Sequence, residues 1–148
     1  MMYYEDLELN QSKISEQTHE VTAEEIKAFA GQWDPMPFHL DEEVASLSPM
    51  GGLFASSLHT VAIGTKLGHT MIDEDIAILA GLGWDELRFP KPVMVGDVLR
   101  CKSEIVDKRV SNSKPDRGIV VTQMTVTNQN EEVIATYKFT NMVFRRPE

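Results

Sequence analysis

One cysteine cannot form an intrachain disulfide, so Cys101 leaves the chain without a covalent staple and fits a reducing compartment. Long apolar runs are also missing. The best stretch, Leu53 to Gly64, is interrupted by Ser56, Ser57, His59 and Thr60, which excludes a bilayer-spanning helix. The N-terminus, Met1-Met2-Tyr3-Tyr4-Glu5-Asp6, lacks the basic-then-apolar order of a secretory leader, so a cytoplasmic location is expected. Basic residues are scarce: 14 Lys and Arg against 23 Asp and Glu give a net charge of -9. That field opposes nucleic acid and anionic membranes as partners. It leaves room for an anionic small molecule held by a local basic cluster. Lys108, Arg109, Lys114 and Arg117 are close in sequence, and Arg145 and Arg146 lie at the C-terminus; all can equally be solvated loop and tail charges. Phosphate-cradling P-loops, dinucleotide fingerprints and the Gly-x-Ser-x-Gly elbow of hydrolases are absent.

What is present is an ordinary globular composition, 42% hydrophobic and 25% charged over 148 residues, expected to form one domain spanning 1–148. Thr22-Ala23-Glu24-Glu25 has the capping-box pattern, so a helix should start there, bury Ile26, Phe29 and Ala30, and stop near Gly31. Asp41 can cap a second short helix, Glu42 to Leu47, which Pro49 closes. From Gly51-Gly52 onward, Leu53, Phe54, Ala55, Leu58, Val61, Ala62, Ile63 and Leu67 cover most of a helical circumference, with Gly68 placed to terminate. A helix apolar on nearly all sides is enclosed on several of them. Past residue 75 the pattern turns strand-like. Ile76 to Gly83 is apolar enough for a central strand. Glu86 to Pro90, Asp97 to Lys108, Gly118 to Thr127 and Val133 to Phe144 follow, with Asn128-Gln129-Asn130-Glu131 as a hairpin turn. The stretch before Thr22 can add an edge strand. The expected class is α+β, one antiparallel sheet wrapped around a central helix.

Chemistry points first to Gly31-Gln32-Trp33-Asp34-Pro35-Met36-Pro37-Phe38-His39-Leu40-Asp41. Two prolines flanking Met36 stiffen this loop, and a stiff loop can aim a carboxylate and an imidazole at one water molecule. General acid–base catalysis by Asp34 and His39 follows, the alternative being a backbone-capping Asp34 and a satisfied buried His39. Gly51-Gly52, ahead of the buried helix, could bring free N–H groups to an oxygen that gains negative charge; a plain turn is the other reading. Ser56 and Ser57 lie one turn further, facing the same cavity or bonding back to the helix. His59 and His69 are spaced unlike a helical ligand pair, so no metal site is expected. Cys101, in an alternating strand, reads as a small core residue.

The run Asp34-Pro35-Met36-Pro37-Phe38-His39-Leu40-Asp41 resembles the hydratase motif of MaoC-like dehydratases and R-specific enoyl-CoA hydratases, usually Asp-x-Asn-Pro-x-His. Met36 stands where the commoner motif has Asn. Gly51-Gly52-Leu53-Phe54-Ala55-Ser56 is similar to that family's Gly-Gly-x-x-Ala segment. Leu82 to Phe89, Lys91 to Asp97, Arg109 to Gly118 and Asn128-Gln129 extend the likeness over most of the chain after residue 20. The resemblance implies a hot-dog fold and reversible hydration of a 2-enoyl-CoA to an (R)-3-hydroxyacyl-CoA. Asp34 and His39 would be the catalytic pair, the Gly52 N–H would meet the thioester oxygen, and Ser57, or alternatively Ser56, would be the active-site serine. It implies no cofactor besides the CoA thioester substrate, and a homodimer at least. A hot-dog thioesterase and a non-catalytic acyl-thioester-binding partner subunit are the rival functions.

Overall fold

The structure is a computed structural model and describes residues 1–148. Local signals set the helices. Thr22 accepts the Glu25 N–H at 3.2 Å and opens α1, Ala23–Trp33. The helix runs past Gly31, because the i→i−4 ladder continues to Asp34 N–Ala30 O at 2.9 Å; Pro35, which disfavours helical geometry at Asp34, ends it instead. The expected loop is partly helical too. Pro37, whose fixed φ suits a first helical position, starts the single turn α2, Pro37–Leu40. Asp41 accepts the Val44 N–H at 3.0 Å and caps α3, Glu42–Leu47, as expected.

The central helix begins later than the glycines suggest. Gly51 takes a turn at φ +74°, where a side chain would be strained. Residues 53–55 then run extended, with Phe54 bridging Met94 and Ala55 N bonded to Val93 O at 2.9 Å. Only at Ser56, the cap, does α4, Ser57–His69, start. Gly68 does not end it: the helix continues to His69, and Gly68 instead lies under Met124. The helix is also enclosed on fewer sides than its composition suggests. His59, Thr60, Val61, Ile63, Gly64 and Leu67 are buried, while Leu58 stays 52% exposed.

Six strands form the sheet: β1 Ser12–Ile14, β2 His19–Glu20, β3 Ile78–Arg88, β4 Val98–Val110, β5 Arg117–Thr127 and β6 Val133–Phe144. Their order is β1-β4-β5-β6-β3, with β2 also on β4, and every pairing is antiparallel. The N-terminal stretch does supply edge strands. The Asn128–Glu131 turn does join β5 to β6, with Asn128 Oδ1 accepting the Asn130 and Glu132 amides at 3.0 Å each. The position of β3 is a correction. Instead of a central strand it is an edge, paired only to β6 through three register shifts, and it absorbs the separate Glu86–Pro90 segment as far as Arg88. Its apolar residues follow from something other than burial in this chain: Leu79, Leu82 and Trp84 are all exposed, Trp84 by 55%.

The main core lies between α4 and the sheet, where Val61, Ile63 and Leu67 meet Leu99, Cys101, Met124, Val126 and Tyr137. Close approach depends on Gly64, where a Cβ would fall 2.5 Å from Tyr137 Oη. Cys101 is buried and burial pushes its thiol up to about 12, which suits the core role and not a nucleophile. No helix is long and apolar enough to cross a membrane.

Candidate active site

Three short elements converge where α1 ends and α4 begins. Asp34 is the C-terminal cap of α1, His39 sits in α2, and Ser56 caps α4. His39 is 5% exposed. Its ring is wedged against Phe38 and Phe54, edge-on to each with centroids 4.6 and 4.8 Å away, and those two phenyl rings stack on one another at 5.2 Å. Nδ1 lies 2.7 Å from Phe54 O, an acceptor only, so this nitrogen carries the proton and donates it. In neutral His39 the lone pair is therefore on Nε2, which faces Asp34 Oδ2 at 3.5 Å.

Asp34 is held from the other side. Ser56 Oγ donates to Asp34 Oδ2 at 2.6 Å and accepts the Leu58 N–H at 3.3 Å, so one buried hydroxyl both caps α4 and fixes the carboxylate. The side chain of Asp34 is about one-third exposed, which leaves the carboxylate reachable beside a nearly buried imidazole. A carboxyl oxygen and a ring nitrogen 3.5 Å apart can both reach one small polar molecule lying on their open side.

The expected pair, Asp34 and His39, is thus brought together. The serine beside Asp34 is Ser56 and not Ser57: Ser57 is the first residue of α4, and its side chain is exposed. Gly52 is half-buried on the extended strip that leads to Phe54, four residues before the helix cap and so not on the helix N-terminus. Sequence reasoning did not assign Phe54 its backbone role as acceptor for His39. The basic residues near the chain ends do not gather here. Arg145 and Arg146 pair with Glu5 and Asp6, Arg117 with Asp116, and Lys108 lies over the Tyr4 ring. No three His, Cys, Asp or Glu side chains form a metal-ligand set.

The serine assignment predicts a sharp contrast. Ser56→Ala removes a cap and a charge-assisted hydrogen bond, so it should cost about 1–3 kcal/mol in urea unfolding. Ser57→Ala should stay within about 0.5 kcal/mol. Equal losses in the two variants would return the role to both serines.

A single antiparallel sheet curled around one helix defines a hot-dog domain. Residues 7–130 match the family model described as the MaoC like domain, and the chain belongs to that family. Among solved structures it is similar to the MaoC-like dehydratase from Rhodospirillum rubrum, with 40% identity, a TM-score of 0.87 and all of both chains covered. Among curated proteins it is 33% identical over 88 residues to 3-hydroxyacyl-thioester dehydratase Z of Mycobacterium tuberculosis, an alignment covering 58% of this chain and 58% of that protein. A Mycobacterium tuberculosis protein described as a double hotdog fold superposes with a TM-score of 0.79 at 18% identity, covering 99% of this chain and 45% of that one, which speaks to fold alone.

Proposed function

We propose that this chain catalyses the reversible syn addition of water to a trans-2-enoyl-CoA, giving an (R)-3-hydroxyacyl-CoA. The observation that carries the reading is the 3.5 Å approach of His39 Nε2 to Asp34 Oδ2, with each group fixed by its own hydrogen bond. Water bonded to both from the open side gives its oxygen to the β-carbon and a proton to the pair, and the pair returns a proton to the α-carbon. One O–H bond and the C=C π bond are exchanged for a C–O and a C–H bond, so no further reactant is consumed. The thioester oxygen gains charge during the step, and the Gly52 N–H, two residues before the Phe54 carbonyl that anchors His39, is the donor we assign to it.

The net charge of -9 favours CoA over an acidic carrier protein as the thioester donor, and a single cysteine favours a cytoplasmic enzyme. The exposed, apolar β3 edge supports a homodimer, since a strand of this composition that is unpaired on its outer side invites a second sheet. The relatives support the reaction class through their own names, 3-hydroxyacyl-thioester dehydratase among them. The test is to add purified protein to trans-2-enoyl-CoA thioesters, follow the conjugated absorbance, and resolve the product by chiral chromatography. An intact (R)-3-hydroxyacyl-CoA is expected. Free thiol and acid would mean a thioesterase instead. Binding of enoyl-CoA without any product would mean a non-catalytic partner subunit.

A further inference from the structure

Phe29 of α1 and His59 of α4 lie face to face, ring centroids 4.6 Å apart and planes 8° from parallel. His59 is 7% exposed, and its Nδ1 is fully buried with no hydrogen-bond partner. Its Nε2 faces Glu25 Oε1 at 3.7 Å, and the same carboxylate is bonded by His19 Nε2 of β2 at 2.9 and 3.1 Å. One flat ring on α4 thus meets α1 twice, through the Phe29 stack and through the Glu25 carboxylate.

The position matters because of what the two helices carry. Asp34 ends α1 and Ser56 begins α4, and their 2.6 Å hydrogen bond joins those ends. His59 stands within one turn of Ser56 and Phe29 within two turns of Asp34. We propose that His59 is a positioning residue: by stacking on Phe29 and facing Glu25 it clamps α1 to α4, and so holds Asp34 against Ser56. The inference rests on the hydratase reading of Asp34 and His39.

The groups facing His59 are Glu25 from α1, His19 from β2 and His39 from α2. Burial holds His59 below the ordinary histidine value, Glu25 opposes this, and the two other histidines add to the lowering. The clamp is therefore built around a neutral ring. Because the folded value is lowered, the unfolded chain takes up the proton first. Stability is full above the ordinary value of 6.5 and falls as pH drops through it towards the folded value.

The test uses the full chain, steady-state hydration of an enoyl-CoA, and NMR-detected amide exchange. His59→Ala should lower kcat roughly 10- to 100-fold with KM changed less than about threefold, since a small misplacement of a reacting group has effects of that size. Exchange should quicken at Asp34 N, bonded to Ala30 O, and at Leu58 N, bonded to Ser56 Oγ. His59→Phe, which keeps a flat ring on Phe29, should recover most of kcat and lose less stability than wild type between pH 7 and pH 5. The proposal fails if His59→Ala keeps kcat within about twofold. It also fails if His59→Phe is as slow as His59→Ala while both amides exchange as in wild type, which would make the imidazole a direct participant. Should His59→Ala not fold, Phe29→Ala cuts the same stack from the α1 side and is judged by the same readouts. If the wild type hydrates nothing, the hydratase reading falls, and amide exchange alone decides whether His59 holds the two helix ends together.

Discussion

Asp34→Asn and His39→Ala will each lower the hydration rate by on the order of 100- to 10,000-fold, the range expected when a positioned acid or base is removed. Asn in place of Asp34 keeps an oxygen that can accept from Ser56 Oγ, so the frame persists while the charge and the proton site are lost. His39→Ala removes the bond to Phe54 O and empties the space beside the stacked Phe38 and Phe54 rings, so part of its effect will be structural. His39→Asn, which retains a donor near the Nδ1 position, separates the two contributions. It should fold better than His39→Ala and be about as slow. The double variant should be little slower than either single one, because both groups act on one water. Activity within about threefold of wild type in a folded Asp34→Asn variant would remove that carboxylate from the chemistry.

The second large effect concerns stability. Gly64→Ala should destabilise the chain by about 1–3 kcal/mol through overpacking, although alanine in a helix interior ordinarily gains up to about 1 kcal/mol over glycine. The added Cβ would lie 2.5 Å from Tyr137 Oη and 3.1 Å from Val126 Cγ2, so α4 must shift off the sheet or Tyr137 must turn. Tyr137 is 2% exposed, its hydroxyl has no hydrogen-bond partner, and burial pushes its pKa up to about 12. Tyr137→Phe alone should therefore be neutral or stabilising, and combined with Gly64→Ala it should restore most of the lost midpoint in a thermal melt. A melt in which Gly64→Ala gains stability would show that the helix sits farther from β6 than these contacts indicate.

The readable parts of the sequence were those decided by neighbours along the chain. Thr22 and Asp41 cap helices through residues three positions away, and the Asn128 turn is closed by its own side chain, so each motif carried its geometry with it. Asp34 and His39 were legible because two prolines and the family motif frame them. Features set by other segments were not. β3 looked central because its residues are mostly apolar, yet it is paired on one edge only and Ile78, Leu79, Leu82 and Trp84 stay exposed. Choosing Ser56 over Ser57 required knowing which residue is the cap, since one step along a helix turns a side chain by about 100°. The His59 contacts reach from α4 to Glu25 and Phe29 on another helix, a register that no local pattern encodes.

The proposed constellation, Asp34, His39, the Phe54 carbonyl and Ser56, comes from one uninterrupted stretch of chain, while β3 to β6 contribute none of these groups. That division separates two evolutionary liabilities. Substitutions in the sheet can reshape whatever the domain encloses without replacing any of these four groups. Loss of the Asp34 carboxylate alone would leave the Ser56 contact and the frame in place while the proposed chemistry went, so fold and activity can be lost separately.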